Sequence, residues 1–205
     1  MAVAVAQQRH VQKMNFDLSD EHMKSTFVNM QELRHDRCMC DIKLKVGSKE
    51  IYAHKLILIS TIPYFRSMFT HNVIEREQDF VTLKDLDSAA VETIIDFAYT
   101  ASICVTQENV QTLLRVATIL QMNTVQRSCC EFLESQLDPT NALGIYSFAE
   151  LHGCTSLKTS ARNYCDRHFT KVTKQEEYFL LPIDRVAWFL CHNELCVRSE
   201  IEVLI

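Results

Sequence analysis

Between residues 40 and 69 the hydrophobic repeat changes from that of a strand to that of a helix, which calls for strands and helices packed on one core. Ile42, Leu44 and Val46 alternate with Lys43 and Lys45, the pattern of a strand with one buried face. Gly47 and Ser48 make a turn, after which Ile51 and Ala53 resume the alternation on a second short strand. Residues 56–59 are then continuously apolar, and Tyr64, Phe65, Met68 and Phe69 fall at helical spacing. A hairpin running directly into buried helices predicts an α+β interaction domain.

The flanking sequence supplies the remaining elements. Residues 1–13 hold no sustained period and read as a mobile tail. Over 19–34, Met23, Phe27 and Met30 form one apolar stripe of a helix whose positive end carries Asp20 and Glu21. Val81 and Leu83 suggest a third strand, Asp87 or Ser88 a helix cap before Val91, Ile94, Ile95 and Ala98, and Ile103 with Val105 a further short strand. Thr106 is placed to cap a helix bearing Val110, Leu113, Leu114 and Ala117, and another helix is expected over 124–137.

Asp138 and Pro139 form a helix-start signal and mark the expected domain boundary. Beyond them the pattern is helical throughout. Ala142, Ile145, Phe148, Ala149 and His152 share one helix face, and 157–169 gives a second helix. Thr173 with Glu176 reads as a capping box for a third, and Ile183, Val186, Ala187 and Leu190 stripe a fourth. Ser199 and Glu202 make another such box about two turns before Ile205, so the second domain is expected to be an abbreviated one.

Composition narrows the function classes. With 47% hydrophobic residues the chain has ample material for packed cores. A net charge of −5 with scattered cations argues against nucleic acid, which needs clustered positive charge. No apolar run of roughly 18 residues is present to span a membrane, and the N-terminus lacks a secretory leader, so a cytoplasmic location is expected, with the nucleus also open. The nine cysteines then read as reduced thiols, and their spacing does not suit a zinc site. Gly-rich phosphate loops, nucleophile elbows and HExxH helices are absent, so neither an enzyme nor a cofactor is expected.

In this order and spacing, CDIKLKV from Cys40, AHKLILIS from Ala53, PYFRSMF from Pro63, IIDFAYT from Ile94 and NALGIYSFAELHGCTSL from Asn141 resemble the BTB/POZ and BACK domains of Kelch-like proteins. The resemblance implies an α+β BTB/POZ fold of short strands and flanking helices over 14–137, then an all-α region, the 3-box and a partial BACK domain, over 138–205. It also implies a two-fold dimer that buries Met23, Phe27 and Met30 and sets Asp41 and Lys55 in a charged pocket near the interface. On residue chemistry alone, Asp41 and Lys55 would simply satisfy polar groups.

Cullin-3 binding is implied for Phe69, His71, Asn72, Val73, Glu75, Phe148 and His152, with Val73 and Glu75 standing in a hydrophobic-x-Glu signature. An apolar knob supplies desolvation energy there, and the carboxylate fixes orientation. Phe148, Ala149 and His152 suit a core as readily as a groove, and His152 reads as a hydrogen-bonded core histidine. The chain departs from the family where ISTI fills 59–62 and where Ala101 replaces a common glycine, which costs about 1 kcal/mol if the turn needs a positive φ.

The function so implied is a non-catalytic dimeric adaptor that binds cullin-3 and recruits a protein substrate to a ubiquitin ligase. No propeller repeats occur in these residues. Two alternatives therefore stand beside the adaptor: a regulatory or dominant-negative BTB partner that heterodimerises with relatives, and a corepressor-recruiting transcriptional BTB domain.

Overall fold

The computed structural model describes residues 19–71 and 78–190. A first helix, α1 (Ser19–His35), precedes the hairpin of β1 (Ile42–Val46) and β2 (Lys49–Ala53), paired antiparallel from Ile42 opposite Ala53 to Val46 opposite Lys49. Gly47 makes the turn with φ +58°, a backbone conformation that glycine adopts without a Cβ clash. Ile42, Leu44, Val46, Ile51 and Ala53 are buried while the residues between them are not, so the alternation read from the sequence is the real inner face of the sheet.

A third strand, β3 (Phe80–Thr82), lies parallel to β1, giving the order β2-β1-β3. Parallel neighbours need a crossover, and α2 (Lys55–Thr61) with α3 (Pro63–His71) begins it. Ile57, Leu58, Ile62, Phe65 and Phe69 bury one side of that helix pair against the core. α4 (Ser88–Thr100) follows, with the Asp87 carboxylate accepting the Ala90 N–H at 2.8 Å. It ends on Ala101 at φ 53°, so the turn does take the left-handed conformation its sequence position suggested.

Next come α5 (Val110–Ile119) and α6 (Asn123–Ser135). Thr106 caps the turn before α5 reciprocally with Asn109: its hydroxyl accepts the Asn109 N–H at 3.3 Å, and the Asn109 side chain accepts the Thr106 N–H at 2.8 Å. The strand expected at Ile103 and Val105 is irregular chain, with both side chains half-buried against the core. A strand needs a neighbour to pair with, and the described sheet has only β2, β1 and β3.

Past Asp138 all regular structure among the described residues is helical: α7 (Ala142–Leu151), α8 (Thr155–Arg167), α9 (Phe169–Val172), α10 (Glu176–Phe179) and α11 (Ile183–Leu190). The Asp138 carboxylate accepts from both the N–H and the hydroxyl of Thr140, at 2.6 and 2.5 Å, and these bonds hold it below its ordinary value. α8 packs on α6, where Ser160 donates to Glu134 at 2.7 Å, so one core runs through both halves.

Two expectations here are corrected. Thr173 closes α9 by donating its N–H to Phe169, and Gln175 precedes α10 without a side-chain cap, so the box with Glu176 does not form. On α11, Ile183 is 82% exposed, and the anchor is Phe189, edge-on to Tyr146 and beneath the Arg162 guanidinium at 4.3 Å. The Ser199 and Glu202 box lies outside the described residues.

Candidate protein-binding site

An apolar opening of about 740 Å³ lies between α1 and the end of α4. Its lining includes Met23, Phe27 and Val28 from α1, and Phe97, Ala98 and Ala101 from α4 and the turn beyond it. Met23 is 51% exposed, Phe27 37% and Val28 57%, an unusual concentration of apolar surface on one helix half. Met30, the third residue of the expected stripe, instead packs against the core. The sequence reading missed Val28, which sits one position round the helix from Phe27.

α1 is fixed by its other end. Arg34 contacts Asp96 of α4 at 2.6 Å, donates through Nε to the Tyr52 carbonyl at 3.0 Å, and lies over the Tyr99 ring at 5.0 Å. Tyr99 in turn organises the chain leading into β1. Its hydroxyl oxygen accepts the His54 backbone N–H at 2.8 Å, which leaves its proton to donate to His54 Nδ1, also at 2.8 Å. The imidazole therefore carries its proton on Nε2, which donates to the Cys38 carbonyl at 3.0 Å. Burial pushes the Tyr99 phenol up to about 12, so it remains a neutral donor. The Cys40 thiol is raised as well, by burial against an opposing pull from Arg34. Nothing in local sequence pattern signals this network, because its members are brought together only by the fold.

Asp41 accepts the Lys55 backbone N–H at 2.7 Å and so caps α2 from a distance in sequence, a task His54 at the cap position leaves undone. The Lys55 ammonium lies 6.0 Å from the Phe69 ring centroid.

Of the residues expected at a cullin surface, Phe69 is buried and stacked on Phe65 at 6.0 Å, so its side chain belongs to the core. His71 closes α3, and Asn72, Val73 and Glu75 lie outside the described residues. Phe148 and His152 are brought together on α7, ring centroids 4.4 Å apart and both half-buried. Burial, with a smaller push from Arg115, holds the His152 imidazole below its ordinary value and hence uncharged at neutral pH. Beside them Glu150 joins three helices, accepting Lys158 of α8 at 2.7 Å and Arg185 of α11 at 2.6 Å; these two bonds lower its carboxyl, the Arg185 bond most. Among the described residues no cluster of histidine, cysteine and carboxylate groups suits a metal ion, and no helix is long and apolar enough to cross a membrane.

Similarity to known proteins agrees with this architecture. Residues 30–137 match the BTB/POZ domain, and residues 142–205 match the domain described as BTB And C-terminal Kelch, or BACK. Kelch-like protein 17 of Homo sapiens is 47% identical over 185 residues, 90% of this chain and 29% of the relative. The Mus musculus protein of the same name is 46% identical over the same shares. The chain thus spans under a third of the length of these relatives. Among solved structures, the BTB domain of zebrafish PATZ1 superposes with a TM-score of 0.54 at 27% identity, covering 60% of this chain and 99% of that one. With a hairpin-and-helix domain matched over more than half its length and a helical BACK region after it, the chain belongs to the BTB/BACK, Kelch-like family.

Proposed function

We propose that this chain is a non-catalytic, dimeric adaptor that binds cullin-3 and brings protein substrates to a cullin–RING ubiquitin ligase in the cytoplasm or nucleus. The observation that carries the reading is the tandem order of BTB and BACK matches in a chain similar to a Kelch-like protein. Such an adaptor makes and breaks no bonds. It holds a substrate lysine near a charged conjugating enzyme and so raises its effective concentration.

The exposed half of α1 supports the dimer. Covering the exposed remainder of Met23, Phe27 and Val28 contributes about 0.5–1.5 kcal/mol for each side chain. For cullin-3, Val73 and Glu75 are the anchor, with the Phe148 and His152 pair of α7 as the second contact.

A pull-down of the purified chain with the N-terminal domain of cullin-3 tests the reading. Binding is expected for the wild type and loss of binding for Val73→Asp and Glu75→Lys. Binding unchanged in both variants removes those residues from the interface, and no binding by the wild type removes the adaptor role. Light scattering reads the dimer separately, and a stable monomer at micromolar concentration contradicts it.

A further inference from the structure

The solvent face of the three-stranded sheet carries cations laid on aromatic rings. The register sets Lys43 opposite Tyr52 on β2 and Phe80 on β3, and Lys45 opposite Glu50 and Thr82. Lys43 lies between the Glu50 carboxylate, at 3.1 Å, and the Tyr52 ring, at 5.1 Å, where the Arg37 guanidinium also stacks at 4.3 Å. Lys45 behaves differently. Its cross-strand carboxylate is engaged by Lys43, and its ammonium reaches from β1 to the outermost strand, 4.1 Å from the centroid of the 42%-exposed Phe80 ring. A ring attracts an ammonium without neutralising it. With Lys49 already paired to Glu92 at 2.5 Å, Glu50 is the carboxylate this face sets against Arg37, Lys43 and Lys45, in a chain whose net charge is −5.

Among the described residues no further strand pairs with β3 at the edge beside this face. Lys43 donates its N–H to the Asp79 carbonyl and Leu83 donates its own to the Lys45 carbonyl, both at 2.9 Å. Alternate residues of a parallel strand turn their polar groups the other way, so Phe80 and Thr82 point theirs away from β1, toward the side of the sheet with no further strand among the described residues. The opposite edge is guarded, since Arg34 occupies the Tyr52 carbonyl of β2.

We propose that the β3 edge docks an extended, acidic peptide segment of a partner protein, added as a fourth strand with a carboxylate facing Lys45, the cation that reaches β3. The edge selects an extended backbone, and the Lys45 ammonium beside it selects the charge. One cation at the edge is too few for the counterion release that drives binding to a nucleic acid backbone. The inference is independent of the ubiquitin-ligase reading, and its test does not involve a cullin.

Fluorescence polarisation of the full chain with a labelled synthetic peptide of alternating glutamate and valine reads the interaction. Saturable binding is expected, weakening on passing from about 50 to about 500 mM salt. It should fall about tenfold for Lys45→Glu and for the matching lysine–valine peptide. Thr82→Pro, which removes an edge N–H, should lower it as well, with circular dichroism confirming the fold. Should that variant not fold, a glutamate–valine peptide with methylated backbone nitrogens makes the same test from the ligand side. Equal binding by wild type and Lys45→Glu, or by methylated and unmethylated peptides, overturns the proposal. So does a sedimentation result in which Lys45→Glu changes the oligomeric state and not peptide binding, since the edge then serves a second copy of this chain.

Discussion

The Arg34 guanidinium and the Asp96 carboxylate meet at 2.6 Å, yet the two partners are unequal: the arginine side chain is 11% exposed and the aspartate 48%. Arg34 also serves the Tyr52 carbonyl and the Tyr99 ring. Arg34→Ala is therefore expected to cost about 2 kcal/mol, because it strands a backbone acceptor and unpacks a long side chain. Asp96→Asn removes only a solvent-screened charge and should cost below about 1 kcal/mol. Urea midpoints of the two variants measure the difference.

Ala101 occupies a left-handed position at φ 53°, ψ 17°, and donates its N–H to the Phe97 carbonyl at 2.8 Å as α4 ends. Glycine suits this conformation without the Cβ penalty, though it loosens the unfolded chain. Ala101→Gly should raise stability by about 0.5 kcal/mol, visible as a later urea midpoint with an unchanged slope.

Cys129 and Cys165 are buried, and burial pushes both thiols up to about 12 from an ordinary 9.0. In the folded chain they stay protonated at pH values where the unfolded chain's thiols ionise. The resulting stabilisation is complete below pH 9.0 and is lost as pH rises toward about 12. Iodoacetamide at pH about 8, followed by peptide mass spectrometry, should label exposed Cys38 and Cys104 first and leave Cys129 and Cys165 until denaturant is added.

Arg162 and Asp166 form a buried ion pair within α8 at 3.0 Å, and Arg162 also donates to the Phe189 carbonyl at 3.3 Å. Removing the cation alone leaves a buried carboxylate, so Arg162→Ala should cost about 3–5 kcal/mol. The double variant Arg162→Met with Asp166→Leu should recover most of that loss. Thermal melts of the single and double variants test both statements.

What the sequence disclosed was what local periodicity determines. The alternation of Ile42, Leu44 and Val46 and the cap at Asp87 are short-range patterns and form as expected, while Thr106 closes the turn before α5, whose cap position is Asn109. Ile103 and Val105 have strand chemistry but no described neighbour, and pairing is a tertiary property. On two-turn α11 the periodic stripe was ambiguous, and Phe189 was selected by the Tyr146 and Arg162 side chains awaiting it. The candidate site divides in the same way. Met23 and Phe27 were legible as an apolar stripe, whereas Phe69, which looked equally available, is consumed by stacking on Phe65. The His54 and Tyr99 clasp joins residues far apart in the chain, and no repeat encodes it.

α1 is a rod about 25 Å long, joined by Arg34 to β2 and α4 near one end and half-exposing Met23 near the other. Whatever covers Met23 therefore does so about 16 Å along the same helix from the residue that joins α1 to the sheet and to α4.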